Sequence, residues 1–557
     1  MKLSHLLAAA VPLAWLLPNH YLPWQSAWQE GLALALLFVA AATHRLPGNL
    51  APVWMVTIAL ALLTLSVQWT LGRMLFHGDA VLAALYILAF GLAFAVGSAR
   101  PSDTTAGDAT GLAEPLALGI IVAALVSAAI GLVQWTGVWG PSIWVVDIAP
   151  GGRPSGNVAQ PNHLCTIAFL GLCAVALLRE AGRLGPVGHW LASGLFLFTM
   201  VMSGSRTGWL QIGAALVLVA FASRRTTLRV RPATFAWQAG LFGLLSFAWP
   251  VINEAAILSG ARSVGDPLAG SGRELLWPAL LHAVWREPWF GYGWQQVVLA
   301  QQAVALDHPP ILRHFEHSHN LILDFVIWVG LPFGVLIVLL SAVALWRQAA
   351  LLQDARAAWL LAGVLGVATH AMLEFPLEYA YFLLPVGLML GVAHALTPAA
   401  RTLQVPRWAV STTGAALLVL LAVVAVDYLK AEENHRILRL ESARIGVTKL
   451  ETPAPDLLLL DQLQAFLSFT RNEAMPGMSA AEVDTMRRVS ERFAYPPAMF
   501  RFALAAGLNG QPTAGEMTIA RLCRMHAPAR CDEAIEGWAV AKERFPQLQH
   551  LPASVRP

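Results

Sequence analysis

The chain has 557 residues, of which 57% are hydrophobic and only 12% are charged. This composition excludes a water-soluble protein of this length, and the small formal charge of +3 argues against nucleic acid as a partner. The first apolar run, after Lys2, is similar to a signal peptide, but Pro18 follows it without a small-x-small cleavage pattern. We therefore predict a retained first membrane span.

Apolar runs long enough to cross, or nearly cross, a hydrocarbon core of about 30 Å recur up to residue 428. Backbone groups inside a bilayer find no water, so each run is predicted to be a helix. We expect about 12–13 transmembrane helices on this length criterion. Their predicted ranges are 3–17, 31–42, 51–71, 80–97, 112–135, 163–178, 187–202, 208–222, 233–252, 321–346, 358–372, 380–397 and 408–428.

Lysine and arginine in the short loops predict the orientation of these helices. With a cytoplasmic N-terminus, the inner segments hold thirteen Lys or Arg residues, whereas the outer short loops hold only Arg73, Arg153 and Arg206. The outer face is then the periplasmic face of a bacterial inner membrane. The polar motifs of the chain gather on this same face, where a rigid scaffold can position them.

The predicted fold is an all-α, polytopic membrane helical bundle with a large periplasmic loop and a periplasmic helical tail. A periplasmic tail would allow Cys523 and Cys531 to form a disulfide. The predicted domains are the first part of the membrane domain at 1–252, the large loop at 253–320, the second part of the membrane domain at 321–428 and the tail at 429–557.

Amphipathic helices are predicted in the tail, where charged residues become more frequent. Residues 456–469 are rich in leucine with a helical period. Ser479 and Glu482 have the spacing of a capping box at the start of a second helix, and Thr513 is predicted to start another. These patterns predict that the tail is a small all-helical domain.

The sequence His317-Ser318-His319-Asn320 ends the large loop, where the tenth predicted span begins. An imidazole titrates near neutrality, so it can accept a proton from an attacking hydroxyl. The structural alternative is a set of interfacial polar residues that cap a helix, for which Ser and Asn are well suited. Both interpretations fit the sequence.

The two histidines also raise a metal-binding alternative. Successive residues point apart, however, and no acid-x-acid pair lies near them. Such a pair occurs at Glu482-Val483-Asp484, where Ser479 makes a helix cap the better interpretation. We therefore expect no metal at this site.

Arginines on the outer face form a second group of candidates. Arg206 lies in a short turn between two apolar spans, and Arg153, Arg273 and Arg286 lie on the same predicted face. A guanidinium group binds phosphate oxygens in a bidentate manner and keeps its charge. These residues can hold an anionic lipid headgroup that is the substrate, or they can simply snorkel to the interface. For Arg286 the sequence favours the second interpretation.

Two further motifs lie at membrane boundaries. Gln160-Pro161-Asn162-His163 opens the sixth span, where amides and an imidazole can bind sugar hydroxyls or an anion. A proline turn with a capped helix explains the same residues. Glu374 is an acid that can pair with an outer arginine or hold a histidine, or can be a solvated loop carboxylate.

At these segments the chain resembles the bacterial protein O-oligosaccharyltransferases, the pilin-glycosylation ligases of the O-antigen ligase and polymerase superfamily. The resemblance runs nearly end to end and includes the helical tail. The matching motifs are His20-Tyr21 with Pro23-Trp24, Gly78-Asp79, Asn157 with Gln160-Pro161-Asn162-His163, Ser205-Arg206-Thr207, the segment 288–294, His317-Ser318-His319-Asn320 and the segment 370–376.

The resemblance implies a role for each candidate residue. His319 matches the essential histidine of the family, and Arg206 and Arg273 match positions that bind the lipid diphosphate, to which we add Arg153. The remaining candidates are expected to shape the site: Gln160, Asn162, His163, His317, Asn320 and Glu374.

The implied reaction is transfer of a preassembled glycan from undecaprenyl diphosphate to a Ser or Thr hydroxyl of a periplasmic protein such as a pilin. The expected chemistry is a single displacement that inverts the anomeric carbon, with no metal and no cofactor. An O-antigen ligase that uses lipid A core, or an O-antigen polymerase, shares the same motifs and stays open as an alternative. A transporter of lipid-linked glycan is less favoured, because the ionisable residues lie at one face rather than at the bilayer midplane.

Overall fold

The computed structural model describes residues 3–99, 111–138, 142–149, 152–256, 272–397, 401–443, 453–552 and 555. Lys2 and Arg100, which contribute to the predicted orientation, and residues 257–271 of the predicted loop lie outside this part of the chain. The described residues are mainly helical, and the two strands among them contain three residues each.

Up to Ser442 the described helices include the predicted apolar runs, and two additional helices, Arg273–Arg286 and Val297–Val304, lie in the predicted large loop. A 3-10 turn, Val11–Leu16, extends the first helix, and strands β1 (Gly48–Leu50) and β2 (Leu403–Val405) pair antiparallel. The helices are α1 (Leu3–Ala10), α2 (Ala27–Ala42), α3 (Pro52–Thr70), α4 (His77–Gly97), α5 (Ala113–Thr136), α6 (Pro161–Glu180), α7 (Pro186–Met202), α8 (Thr207–Ala222), α9 (Pro232–Ala256), α10 (Arg273–Arg286), α11 (Val297–Val304), α12 (Leu321–Val329), α13 (Leu331–Ala350), α14 (Ala355–Ala371), α15 (Ala380–Ala395) and α16 (Arg407–Ser442).

Seven helices in the described part of the chain are long and apolar enough to cross a membrane: α3, α4, α5, α6, α9, α13 and α16. Six further apolar segments coincide with predicted spans but have only 10–17 residues. At 1.5 Å per residue, such a segment is about 15–25 Å long, which is short for a full crossing. The structure confirms the predicted all-α, multi-pass membrane fold.

The tenth predicted span, 321–346, is wrong as a single helix. It is divided at Gly330 into α12 and α13, and Gly330 has a φ of +84°. A β-carbon there would lie 2.4 Å from the carbonyl oxygen of Trp289, so this backbone contact requires glycine. The amide of Leu331 donates to Pro288 O at 2.7 Å instead of continuing the helix. Hydropathy alone does not reveal the break.

The chain divides into two compact units, each built from three segments. Unit 1 contains residues 1–59, 85–267 and 339–422, and unit 2 contains residues 60–84, 268–338 and 423–557. The predicted boundary between residues 428 and 429 lies inside α16, which continues without interruption to Ser442.

Helix α6 is the central element of unit 1. It packs against α5, α7, α8 and α14, and most of its residues are buried. Helix α14 also packs along α8 and α15. The N-terminus of α6 is therefore held on several sides, which fixes the position of the Gln160–His163 motif.

Consecutive tail helices of unit 2 pack against each other. They are α17 (Asp461–Arg471), α18 (Ala480–Arg492), α19 (Pro496–Leu508), α20 (Pro512–Met525) and α21 (Pro528–Arg544). The capping box of Ser479 and Glu482 is confirmed. The predicted start at Thr513 is wrong by two residues, because Gln511 is the N-cap and Pro512 occupies the first helical position.

A disulfide joins Cys523 to Cys531 inside the tail core. Both cysteines belong to an apolar cluster that also contains Met499, Leu522 and Trp538. The disulfide therefore links α20 to α21 at the centre of their packing. The predicted pairing of these two cysteines is confirmed.

Candidate functional site

Three of the predicted site residues form one hydrogen-bonded chain in unit 1. Arg153 Nη2 donates to Asn162 Oδ1 at 3.3 Å, and Asn162 Nδ2 donates to Glu374 Oε1 at 3.2 Å. Arg153 Nε also donates to Ser203 O at 2.8 Å. The fold thus joins residues that are more than two hundred positions apart in the sequence.

Gln160 sets the geometry at the start of α6. Its backbone is extended, and its side-chain oxygen accepts hydrogen bonds from the amides of Asn162 and His163. Pro161 occupies the first helical position, where a missing N–H costs nothing. The structure therefore supports the capped proline turn for Gln160, and this cap directs the Asn162 side chain to Arg153 and Glu374.

His163 is buried, with 3% of its surface exposed. Its ring meets those of Tyr379 at 5.2 Å and Phe382 at 5.1 Å, both edge to face, and it lies 5.6 Å from the ring of His370. Such packing fixes the segment that follows Glu374 against α6. His163 is therefore a packing residue at the start of α6.

The turn between α7 and α8 carries Arg206. Gly204 in this turn has a φ of +61°, and a β-carbon there would lie 3.3 Å from Arg153 Nε. Ser203 O accepts from the same Arg153 nitrogen, so this arginine is clamped against the turn. The side chain of Arg206 is exposed and makes no hydrogen bond or ion pair with any residue that the structure describes. Its guanidinium can therefore receive an anion.

His319 lies in unit 2, in a backbone conformation that is unusual for a histidine. Its φ is +59°, in the left-handed region that L-residues enter at a cost of about 1–2 kcal/mol. Such strained residues persist only where neighbouring contacts hold them, and they cluster at functional sites. The residues on either side provide those contacts.

Ser318 and Asn320 anchor the turn around His319. Ser318 is fully buried, its amide donates to Asp324 Oδ1 at 2.9 Å, and its carbonyl accepts from Trp277 Nε1 at 2.8 Å. Asn320 Oδ1 accepts from two amides in the first turn of α12, both at 3.1 Å. The helix-capping interpretation is thus correct for Asn320.

Phe315 connects His319 with the start of α10. The rings of Phe315 and His319 meet edge to face at 5.7 Å, and a β-carbon on Gly272 would lie 3.4 Å from the Phe315 ring. Arg273 follows Gly272 and is the first residue of α10. The fold therefore brings His319 and Gly272, the N-cap of α10, to one aromatic side chain, while His317 lies half-buried in the same turn.

Sequence reasoning missed three residues that hold this turn: Trp277, Phe315 and Asp324. The signal was available for Asp324, because an acid within an apolar helix needs a hydrogen-bonding partner, and Asp324 is 1% exposed. The sequence contains no such signal for Trp277 and Phe315, since aromatic residues at such positions cannot be distinguished from ordinary core residues.

Other charged candidates have structural partners. Arg286 pairs with Asp307 at 2.8 Å, in agreement with the non-catalytic interpretation of this arginine. In the acid-x-acid pair, Glu482 completes the capping box, and Asp484 pairs with Arg487 at 2.8 Å.

The fold is that of a multi-pass membrane protein. Its candidate residues form two groups, the Arg153–Asn162–Glu374 chain in unit 1 and the turn around His319 in unit 2. Residues 191–339 match the family described as O-antigen ligase. Residues 357–535 match the family described as virulence factor membrane-bound polymerase, C-terminal. These two matches support a relationship to the O-antigen ligase superfamily.

Two curated proteins of Acinetobacter baylyi are similar to the chain. A general O-oligosaccharyltransferase is 28% identical over 532 residues, which are 94% of this chain and 92% of that protein. A ComP-specific O-oligosaccharyltransferase is 31% identical over 244 residues, which are 43% of this chain and 44% of that protein. The first similarity includes both the membrane part and the tail.

Proposed function

We propose that this protein transfers a preassembled glycan from undecaprenyl diphosphate to Ser or Thr hydroxyls of periplasmic or pilin proteins. The observation that carries the proposal is the similarity to a general O-oligosaccharyltransferase over 94% of the chain. The proposal assigns the chemistry of transfer to the imidazole of His319, whose backbone is strained, and to Arg153, Arg206 and Arg273.

The proposed orientation has a cytoplasmic N-terminus and a periplasmic tail in the bacterial inner membrane. The uneven distribution of Lys and Arg between the loops supports it. The disulfide between Cys523 and Cys531 supports a periplasmic tail as well, because disulfides persist in oxidising compartments.

In the proposed mechanism His319 acts as the general base. Its imidazole accepts the proton of the acceptor hydroxyl while the hydroxyl oxygen attacks the anomeric carbon. General-base help of this kind typically contributes about 10²–10⁴ in rate. The bond between the anomeric carbon and the diphosphate breaks in the same step, so the anomeric configuration is inverted. The proposed reaction uses neither a metal nor a nucleotide sugar.

Negative charge grows on the diphosphate as it leaves, and the proposal assigns its stabilisation to Arg206, Arg273 and Arg153. Fixed cations are effective here because they need no reorganisation during the reaction. The position of Arg153 is constrained, since Ser203 and Asn162 both accept hydrogen bonds from its guanidinium. Arg206 offers a planar fork that Lys cannot reproduce.

In the proposal, the site-shaping residues hold His319 and the arginines in position. Asn320 and the buried Ser318 hold the backbone of His319, with His317 in the same turn. Gln160 caps α6 so that Asn162 can bridge an arginine and a carboxylate. His163 packs the following segment in place.

An O-antigen ligase or polymerase is the second candidate, and the match of residues 191–339 to the family described as O-antigen ligase favours it. These enzymes differ from the proposed one in their acceptor. A transporter of lipid-linked glycan would need none of the constraint around His319.

The test is glycosylation in a host that supplies an undecaprenyl-linked glycan and a candidate pilin, measured by intact mass. Wild type should add one glycan mass to the pilin, and His319→Ala should add none while keeping its folded state and donor binding. The exposed tail residue His550 provides a matched control, and His550→Ala should act as wild type. Wild-type glycosylation by His319→Ala would remove this residue from the mechanism.

Arg206→Lys tests the diphosphate contact in the same assay. We expect a loss of about tenfold or more, because a point charge makes fewer directed hydrogen bonds than a guanidinium fork. Unchanged activity would mean that Arg206 only snorkels. Glycan on lipid A core, or as longer polymer, would move the assignment to ligase or polymerase.

A further inference from the structure

An open pocket of about 400 Å³ lies between α8 and α9 in unit 1, away from the residues assigned above. Three arginines and three hydroxyl side chains line it, together with Leu228 and Pro232. We call it the arginine pocket, and its polar lining consists of Ser223, Arg224, Arg225, Thr226, Thr227 and Arg231. None of its lining residues is acidic.

The loop that forms the arginine pocket is rigidly held. Leu228 and Val230 are buried, and the amides of Arg229 and Val230 donate to the carboxylate of Glu180, both at 2.8 Å. Thr226 Oγ1 donates to Gln353 O at 3.1 Å. The pocket is therefore a preformed feature of the fold, and a ligand need not order the loop.

Among the described residues, no acidic side chain neutralises two of the three arginines. The side chains of Arg224 and Arg231 are exposed and make no hydrogen bond or ion pair with any described residue. Arg225 donates to Ala350 O, and its guanidinium lies 4.7 Å from the centre of the Phe221 ring, so its charge also stays uncompensated. The carboxylate of Glu180 is already bound by backbone amides. The pocket therefore concentrates positive charge that an anion can neutralise.

The surrounding surface indicates where that anion comes from. Helices α8 and α9 carry large apolar side chains outward, including Val217 at 72% exposure and Leu244 at 66%. Trp237, in the second turn of α9, is 75% exposed, and tryptophan is enriched at the level of lipid headgroups. An acyl chain can thus lie along the helices while a phosphate enters the pocket.

We propose that the arginine pocket binds the phosphate group of an anionic phospholipid headgroup. Guanidinium forks and hydroxyl donors suit phosphate oxygens, and basic pockets between membrane helices are a known means of headgroup recognition. The N-terminus of α9 at Pro232 adds a favourable dipole. Lipid binding at this pocket is independent of the glycan transfer proposed above.

The test uses the full chain in a neutral detergent and follows its thermal unfolding through tryptophan fluorescence. The probes are phosphatidylglycerol, phosphatidylcholine and inorganic phosphate, and native mass spectrometry counts the lipid retained. Phosphatidylglycerol should raise the midpoint and remain bound, whereas phosphatidylcholine should not. Arg224→Gln with Arg231→Gln should weaken phosphatidylglycerol binding about 30-fold, the scale expected for two such contacts.

Arg347→Gln is the matched control, because Arg347 is an exposed arginine of unit 1 outside the pocket. It should keep wild-type lipid binding. An equal loss of phosphatidylglycerol binding in this control would show that any surface arginine has the same effect, and would overturn the proposal. Unchanged binding in the double variant would also overturn it. A midpoint shift with inorganic phosphate as large as that with lipid would establish free phosphate as the ligand and refute the lipid source.

Discussion

Asn162 provides a sharp test of the hydrogen-bonded chain in unit 1. Its Oδ1 accepts from Arg153 at 3.3 Å, and its Nδ2 donates to Glu374 at 3.2 Å. The substitution Asn162→Asp keeps the acceptor for Arg153 but replaces the donor with a carboxylate oxygen. Two carboxylates then face each other where a hydrogen bond was.

The size of the effect follows from the distance. Two unit charges about 3.2 Å apart repel by roughly 5 kcal/mol at an effective dielectric constant of about 20. All three side chains are half-buried, so water screens part of this repulsion, and the new attraction to Arg153 offsets another part. A net loss of about 2 kcal/mol remains, which corresponds to about a 30-fold decrease in transfer rate.

A second substitution should reverse the loss. Glu374→Gln in the Asn162→Asp background restores a donor opposite an acceptor and leaves one negative charge, as in the wild type. We expect the double variant to recover most of the rate of glycan transfer to pilin, measured by intact mass over time. The thermal unfolding midpoint of the purified protein should follow the same order and does not depend on the reaction.

Two outcomes would refute this reasoning. Wild-type rate and midpoint for Asn162→Asp would show that the Asn162 contacts are incidental. A double variant no better than Asn162→Asp would show that the loss does not come from repulsion with Glu374. Glu374→Gln alone is the required reference, because it reports any direct role of that carboxylate.

Two further predictions concern the stability of unit 2. Arg492 donates to both oxygens of the buried Asp79, at 2.9 and 3.2 Å, so Asp79→Asn should lower the free energy of unfolding by about 3 kcal/mol, measured by thermal or chemical denaturation. Burial, together with the nearby His314, lowers the pKa of His526 to about 4. The unfolded state then binds the proton more readily, so stability should fall as the pH drops from about 6.5 to 4, and His526→Gln should weaken this dependence.

Both predictions have internal controls. Arg530 pairs with Glu533 on the tail surface, where both side chains are more than half exposed, so Arg530→Gln should change stability little. A comparable loss in Arg530→Gln would contradict the special role of burial for Asp79. For His526, an unchanged slope of stability against pH in His526→Gln would assign the dependence to other groups.

The helical content and the positions of the apolar segments were predictable because a bilayer allows few backbone solutions. The predicted runs coincide with helical segments, although the tenth is divided between α12 and α13. The break at Gly330 was not predictable, since it depends on the close approach of the Trp289 carbonyl, which is 41 residues away in the chain. The helix start at Pro512 was missed because Thr513 and Glu516, three residues later, have the spacing of a capping box.

The candidate site likewise has features that the sequence predicts and features that depend on tertiary contacts. The sequence by itself identified the candidate residues, because His319, Arg206 and the Gln160–His163 motif stand out in a chain this apolar. Only the tertiary structure decided their partners, since the contact of Asn162 with Glu374 and the support of Ser318 by Trp277 join distant segments. Periodicity and composition indicate the preferred structure of short chain segments. A hydrogen bond between distant side chains forms only after the packing of the helices has brought the two side chains together.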